Sequence, residues 1–202
     1  MKIILADDHV LFREGLRIAL ETVPHYQVIA EYGNTKDLRK GLPQDLPDML
    51  IMDYRMPGGG SLATLKYLKQ RYETLKIIML TGINVSVIFQ QFVDSKADGI
   101  LIKDMTGIDM MKAVELVEQG ETVIAPAVQE CLRSQAPQLS SREYQIMELV
   151  LEGLGNTDMA ERLNISVKTV GNHRFNLMQK LNLKNSVELT RYALQNGFID
   201  PV

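Results

Sequence analysis

The sequence is poor in everything that would tie it to a membrane or to the outside of a cell. It holds one cysteine, Cys131, in 202 residues, so no internal disulfide can form and a bridged scaffold is excluded. No run approaches the ~20 apolar residues that a bilayer span requires. No N-terminal stretch joins basic residues, an apolar run and a small-residue cleavage site. The expectation is a soluble protein of the reducing cytoplasm with no membrane partner. A strong charge of one sign is missing as well, the net charge being −3 at pH 7. What is present is ordinary globular material, 46% hydrophobic and 23% charged, enough to fill a core. Its length suits two compact domains.

Divided along the chain, the charge is more informative. Residues 1–138 carry 15 Lys/Arg against 18 Asp/Glu and residues 139–202 carry 7 against 7. Within that neutral tail, residues 162–187 hold Arg162, Lys168, Arg174, Lys180 and Lys184 and no acid, a candidate face for a polyanion.

The first 120 residues alternate short, continuously apolar runs with helical patterns. KIILA (2–6), QVIAEY (27–32), DMLIMD (48–53), KIIMLT (76–81) and GILIK (99–103) predict buried parallel strands. LFREGLRIAL and SLATLKYLKQRY between them carry apolar residues at spacings of three and four, the mark of crossover helices. In such α/β folds ligands bind beyond the carboxyl ends of the strands. Asp7 and Asp8 follow the first run, while Asp53, Thr81 and Lys103 end the third, fourth and fifth, so reactive side chains converge on one edge. Gathered carboxylates repel one another unless one is protonated or a cation sits among them. Mg²⁺ is the simpler solution, with Asp8 and Asp53 as direct ligands and Asp7 holding a bound water. A carboxylate is also a nucleophile toward phosphorus; Lys103 and Thr81 would then serve the oxygens of a transferred phosphoryl group. Gly58, Gly59 and Gly60 read as loop residues, since no Lys-Ser/Thr follows to make a nucleotide-binding loop.

ADDHV, MDYRMPGGG, MLTG and ILIKDM resemble the receiver domain of bacterial two-component response regulators, over residues 1–120. The resemblance implies a flavodoxin-like, doubly wound five-stranded parallel sheet of order 2-1-3-4-5. It makes Asp53 the phosphoacceptor, Asp7 and Asp8 the acid pair for Mg²⁺, Thr81 and Lys103 the phosphate-sensing pair, and the carbonyl of Arg55 a further metal ligand. One departure concerns the switch. Where the family usually carries Tyr or Phe, three residues before the lysine, this chain has Ile100. Ser61 stands where a glycine is frequent.

Pro126, Pro137 and the polar stretch RSQAPQ predict a linker over 121–138 with a short helix after Pro126. From 139 onward only helices are expected. Ser140 and Glu143 stand at capping-box spacing ahead of Ile146, Leu149 and Val150. TDMAERL (157–163) suits a short helix ended by Asn164, and Ser166 suits the N-cap of a helix reaching about 181. Helix, tight turn, helix is a DNA-reading unit. On a helical wheel Val170, Leu177 and Leu181 fall on one side and Lys168, Asn172, Phe175 and Gln179 on the other. That outer face suits phosphate binding by Lys168, adenine reading by Asn172 and thymine-methyl contact by Phe175.

LSSREYQIMELVLEGLGNTDMAERLNISVKTVGNHRFNLMQKLNLKNSVELTRYAL resembles the LuxR-type helix-turn-helix domain, placed at 139–202, and with the receiver gives the NarL/FixJ arrangement. The resemblance puts base contacts at Gly171, Asn172 and Phe175, phosphate contacts at Lys168, Thr169, Arg174 and Lys180, and a dimer-forming helix around 185–195. Gly171 stands where a longer side chain is common. His173 reads as a packed histidine, His9 and His25 give no constellation, and the eleven methionines read as core filler. The expected protein is no enzyme: an aspartate-nucleophile phosphatase carries DxDx(T/V) after its first strand, whereas DDHV stands here. The expected partners are a histidine kinase, double-stranded DNA and a second copy of the chain. The alternative is the same DNA output gated by a small ligand or a protein partner.

Overall fold

The structure is a computed structural model, and it describes residues 1–42, 46–58, 60–82, 85–133, 139–195 and 198. Two compact units are separable, one built on Met1–Gly82 and Phe89–Glu130 and one running from Cys131 onward. In the first, strands β1 (Lys2–Ala6), β2 (Gln27–Tyr32), β3 (Met49–Asp53), β4 (Lys76–Thr81) and β5 (Gly99–Ile102) match the apolar runs to within a residue. Helices α1 (Val10–Glu21), α2 (Thr35–Gly41), α3 (Ser61–Arg71), α4 (Ser86–Asp94) and α5 (Gly107–Glu118) follow them in turn. All strand pairs are parallel. The continuity of the apolar runs has its cause in burial on both faces: Ile3, Ile4, Met49, Leu50, Ile77, Ile78 and Met79 are fully enclosed.

The sheet corrects one expectation. It has six strands, not five, in the order β2-β1-β3-β4-β5-β6, the sixth being Val123–Ile124. Gly99 pairs with Val123 and Ile100 with Ile124. Two residues are too few to show a period in a sequence; hydrogen bonds from Val123 N to the Asp98 carbonyl and from Ala125 N to that of Ile100 make the strand. The stretch expected as a linker therefore contains β6 and then α6 (Pro126–Arg133). Its remainder at 134–138, with Pro137, lies outside the described residues, as does Gly59.

The second unit is helical: α7 (Ser141–Leu151), α8 (Asn156–Leu163), α9 (Val167–Lys180) and α10 (Ser186–Gln195). Ser140 and Glu143 form the expected capping box. Asn164 ends α8 at φ 52°, and Ser166 caps α9 by accepting a bond from the Thr169 N–H. Ile146, Met147, Met159, Val170, Leu177, Leu189 and Ala193 make the core. Leu181, expected on the buried face, is the C-cap of α9 and only half-buried, because the helix ends there. Among the described residues no helix is long and apolar enough to cross a membrane.

Candidate metal centre and nucleic-acid interface

Parallel strands all finish at one edge, and this brings together residues far apart in sequence. Asp53 and Thr81 are the last residues of β3 and β4, while Asp7 and Lys103 directly follow β1 and β5. The side chains of Asp7 and Asp53 are 4% and 2% exposed. Lys103 Nζ lies 2.8 Å from Asp7 Oδ2 and 2.9 Å from Asp53 Oδ2, with the Phe12 ring centroid at 5.0 Å. Thr81 is fully buried, and its carbonyl accepts from the Lys103 N–H at 2.9 Å.

Charge is not balanced in this cluster. Burial pushes the Asp53 carboxyl above the usual carboxylate range; Lys103 and the backbone N–H of Arg55 pull it back, and Asp7 adds to the rise. Asp7 Oδ2 and Asp8 Oδ1 are buried oxygens with no hydrogen bond of acceptable geometry, although the first lies within ion-pair distance of Lys103 and the second of His9. Buried oxygen acceptors left over beside a single lysine are the donor set a hard divalent cation takes. Carboxylate atoms of Asp7, Asp8 and Asp53, with a ring nitrogen of His9, all lie within 4.8 Å of one another, so the residues fit a metal.

His9 is the correction here. It was expected to belong to no constellation, yet its Nδ1 lies 3.2 Å from Asp7 Oδ1, 3.0 Å from Asp8 Oδ1 and 3.3 Å from Lys103 Nζ. The signal is its adjacency to the acid pair: it is the N-cap residue of α1, and its backbone N–H donates to Asp7 Oδ1 at 2.8 Å. His25 also has a partner, Glu118, at 3.2 Å.

Two further positions bear on the switch. Ile100 is fully buried in β5, opposite Met79 and Ile124. The aromatic side chain next to Asp53 is Tyr54, edge-on to the buried Phe92 of α4 at 5.3 Å. The β3–α3 turn needs its first glycine for conformation: Gly58 has φ +90°, and a Cβ there would stand 2.9 Å from Thr35 Oγ1.

In the helical unit, α9 turns Lys168, Asn172, Phe175 and Gln179 to solvent, with Phe175 64% exposed. Thr169 is half-buried, its hydroxyl 2.7 Å from that of Ser166. Gly171 opens onto empty space, with nothing within 4 Å of where a Cβ would point. Two of the basic residues have partners inside the unit. Arg174 donates to Asn156 Oδ1 at 3.0 Å and to Ser186 Oγ at 2.8 Å, tying α9 to the starts of α8 and α10. Lys180 Nζ lies 2.7 Å from Glu143 Oε2. Glu143 is buried, which raises its carboxyl, but Lys180 and the Ser140 bonds outweigh this and leave it below the usual range. His173 is half-buried.

Comparison with known proteins accounts for both units. Residues 3–115 match the family model of the response regulator receiver domain, and residues 137–193 that of the bacterial regulatory proteins of the luxR family. The oxygen regulatory protein NreC of Staphylococcus carnosus (strain TM300) is 33% identical over 99% of this chain and 100% of its own length. The transcriptional regulatory protein RcsB of Escherichia coli (strain K12) is 30% identical over 95% of this chain and 93% of its own. A solved structure of RcsB from Salmonella enterica serovar Typhimurium, bound to promoter P1flhDC in the presence of phosphomimetic BeF3-, is 31% identical. It superposes with a TM-score of 0.76 over 95% of this chain and 97% of that one. With a receiver sheet whose strand ends gather Asp7, Asp8, Asp53, Thr81 and Lys103, and a helix-turn-helix unit after it, the chain belongs to the bacterial response regulators of the NarL/FixJ type.

Proposed function

We propose that this chain is a DNA-binding transcription regulator of the cytoplasm, switched by Mg²⁺-dependent phosphorylation of Asp53 from a partner histidine kinase. The observation that carries the reading is the Asp53 carboxylate at the end of β3, sharing Lys103 with Asp7 across distances of 2.9 and 2.8 Å. Asp8 and Asp53 would hold the metal directly, with the Arg55 carbonyl, and Asp7 through a bound water. Mg²⁺, when bound, supplies positive charge to the phosphoryl oxygens.

The remaining chemistry belongs to the chain. An Asp53 carboxylate oxygen forms the bond to phosphorus, the bond from phosphorus to the donor breaks, and the donor leaves with that electron pair. Lys103 is placed to offset charge on the phosphoryl oxygens during transfer, and the Thr81 hydroxyl to hydrogen-bond them afterwards. Phosphorylation then favours a homodimer, which sets two α9 helices in successive major grooves of double-stranded DNA. Lys168, Asn172 and Phe175 lead that surface. Gly171 lets the helix backbone come close, and Thr169, Arg174 and Lys180 line the phosphate side.

The test is chemical. With Mg²⁺ and a small phosphodonor, intact-mass spectrometry should show one added phosphoryl group, removable by hydroxylamine, and Asp53→Asn should abolish it. Undiminished labelling of the Asn variant overturns the acceptor assignment. A second reading, with the same DNA output gated by a small ligand or protein partner, is favoured by Ile100, which puts no ring at the usual switch position. Phosphorylation without change in self-association or DNA affinity would decide for it.

A further inference from the structure

The outer surface of α9 carries two stripes, one of them apolar. Lys168, Asn172 and Gln179 are exposed and polar. Beside them, at positions i, i+4 and i+8, stand Val167, Gly171 and Phe175, with Val167 47% and Phe175 64% exposed. Side chains on a helix lean toward its N-terminus, so the Phe175 ring lies over the turn holding Gly171. The glycine contributes no side chain and nothing stands within 4 Å of its Cβ direction. The result is an apolar notch with Val167 at one end and a phenyl ring at the other, about 12 Å apart along the axis at ~1.5 Å per residue.

A solvated valine and phenylalanine in the first nine residues of a recognition helix gain nothing from water. Neither can donate or accept a hydrogen bond, so neither can read guanine, cytosine or adenine by its polar edge. The one major-groove feature of an unmodified base that rewards an apolar surface is the 5-methyl group of thymine. At a rise of ~3.4 Å per base pair, a notch of this length spans three to four pairs. Of the cations on the helix, Arg174 and Lys180 are bonded to Asn156, Ser186 and Glu143, while the exposed Lys168 beside Val167 is left for phosphate.

We infer that Val167, Gly171 and Phe175 form a thymine-methyl reader, so that each half-site carries one or more thymines at fixed positions facing this stripe. The inference rests on the DNA-reading role proposed above for α9 and names the chemistry of its target.

The experiment uses the full chain, with Mg²⁺ and a phosphodonor present, on duplexes selected from a random pool. Each thymine of the selected site is then replaced singly by deoxyuridine, which removes only the 5-methyl group. Affinity should fall about fourfold per contacted methyl, the cost of leaving one methyl-sized group unburied, at one or two positions in each half-site. Phe175→Ala or Val167→Ala should bring the thymine-to-uracil affinity ratio at its position to one. Circular dichroism confirms that these exposed truncations leave the fold intact. Uracil tolerated at every position, on DNA that still binds specifically, overturns the inference alone. A ratio unchanged in both truncations also overturns it, as does a Phe175→Ala variant that loses self-association instead, since the stripe is then a protein contact. Failure to bind any duplex at any salt concentration overturns the DNA-reading role and this inference with it.

Discussion

At the scale of single residues, charge burial governs both units. Asp8 Oδ1 is buried without a well-formed hydrogen bond, with His9 Nδ1 at 3.0 Å, so Asp8→Ala is expected to weaken Mg²⁺ binding at least about tenfold by calorimetry and to slow labelling of Asp53 in parallel. Retention of full Mg²⁺ affinity would falsify its place among the ligands. In the helical unit the Glu143 carboxyl is held below its ordinary value by Lys180 and Ser140 against the opposing effect of burial. A depressed folded-state value means that its stabilisation is present at neutral pH, above the unfolded value, and is lost as pH falls through the folded one. Lys180→Met strands that carboxylate in the core and should cost about 1–3 kcal/mol at pH 7, read by urea denaturation. The difference from wild type should shrink as pH falls below the ordinary glutamate value and on through the depressed folded one, beyond which the carboxyl is protonated in both folded and unfolded chains. A penalty independent of pH would assign the loss to packing of the lysine stem instead. Lys180 shows how a sequence can mislead at this scale: its basic character was legible, but its partner lies 37 positions away.

The recognition helix is the element that separates two kinds of contact. Lys168 is exposed and carries no bond to another described residue that would compete for it, so Lys168→Ala should weaken binding to specific and random DNA alike and reduce the salt slope by about one counterion. Asn172→Ala should cost about 1–3 kcal/mol at one preferred base pair and leave the slope nearly unchanged. Anisotropy titrations at several salt concentrations separate the two, and equal losses on specific and random duplexes would remove Asn172 from base reading. Arg174→Ala needs a stability control, because its guanidinium joins α9 to α8 and α10. The boundaries of these helices were legible because they rest on local chemistry, the Ser140–Glu143 box, the αL Asn164 and the Ser166 cap. The inside bonds of Arg174 were not, since a helical wheel sorts residues by direction and knows nothing of the neighbours they meet.

Across the whole molecule, the proposed phosphorylation of Asp53 has to act on the DNA unit with an aliphatic residue at position 100. Ile100 has no ring to turn inward and is already fully buried, so phosphorylation is expected to shift the monomer–dimer equilibrium by about 1–3 kcal/mol, the ordinary range of allosteric coupling. Sedimentation equilibrium of the modified and unmodified chain measures it; identical association constants favour the ligand-gated or partner-gated reading. The amino-acid sequence by itself determined the five long strands, the crossover helices, the helical caps and the meeting of Asp7, Asp8, Asp53, Thr81 and Lys103. All of these follow from local periodicity and from one topological rule, that parallel strands end together. Tertiary structure alone decided the rest. The strand Val123–Ile124 exists because β5 offers it hydrogen-bonding partners, and Lys180 is committed to Glu143 because α7 packs on α9. Pairing partners, and the side chains that a buried charge recruits, are set by residues distant in the chain, and no window of sequence contains both.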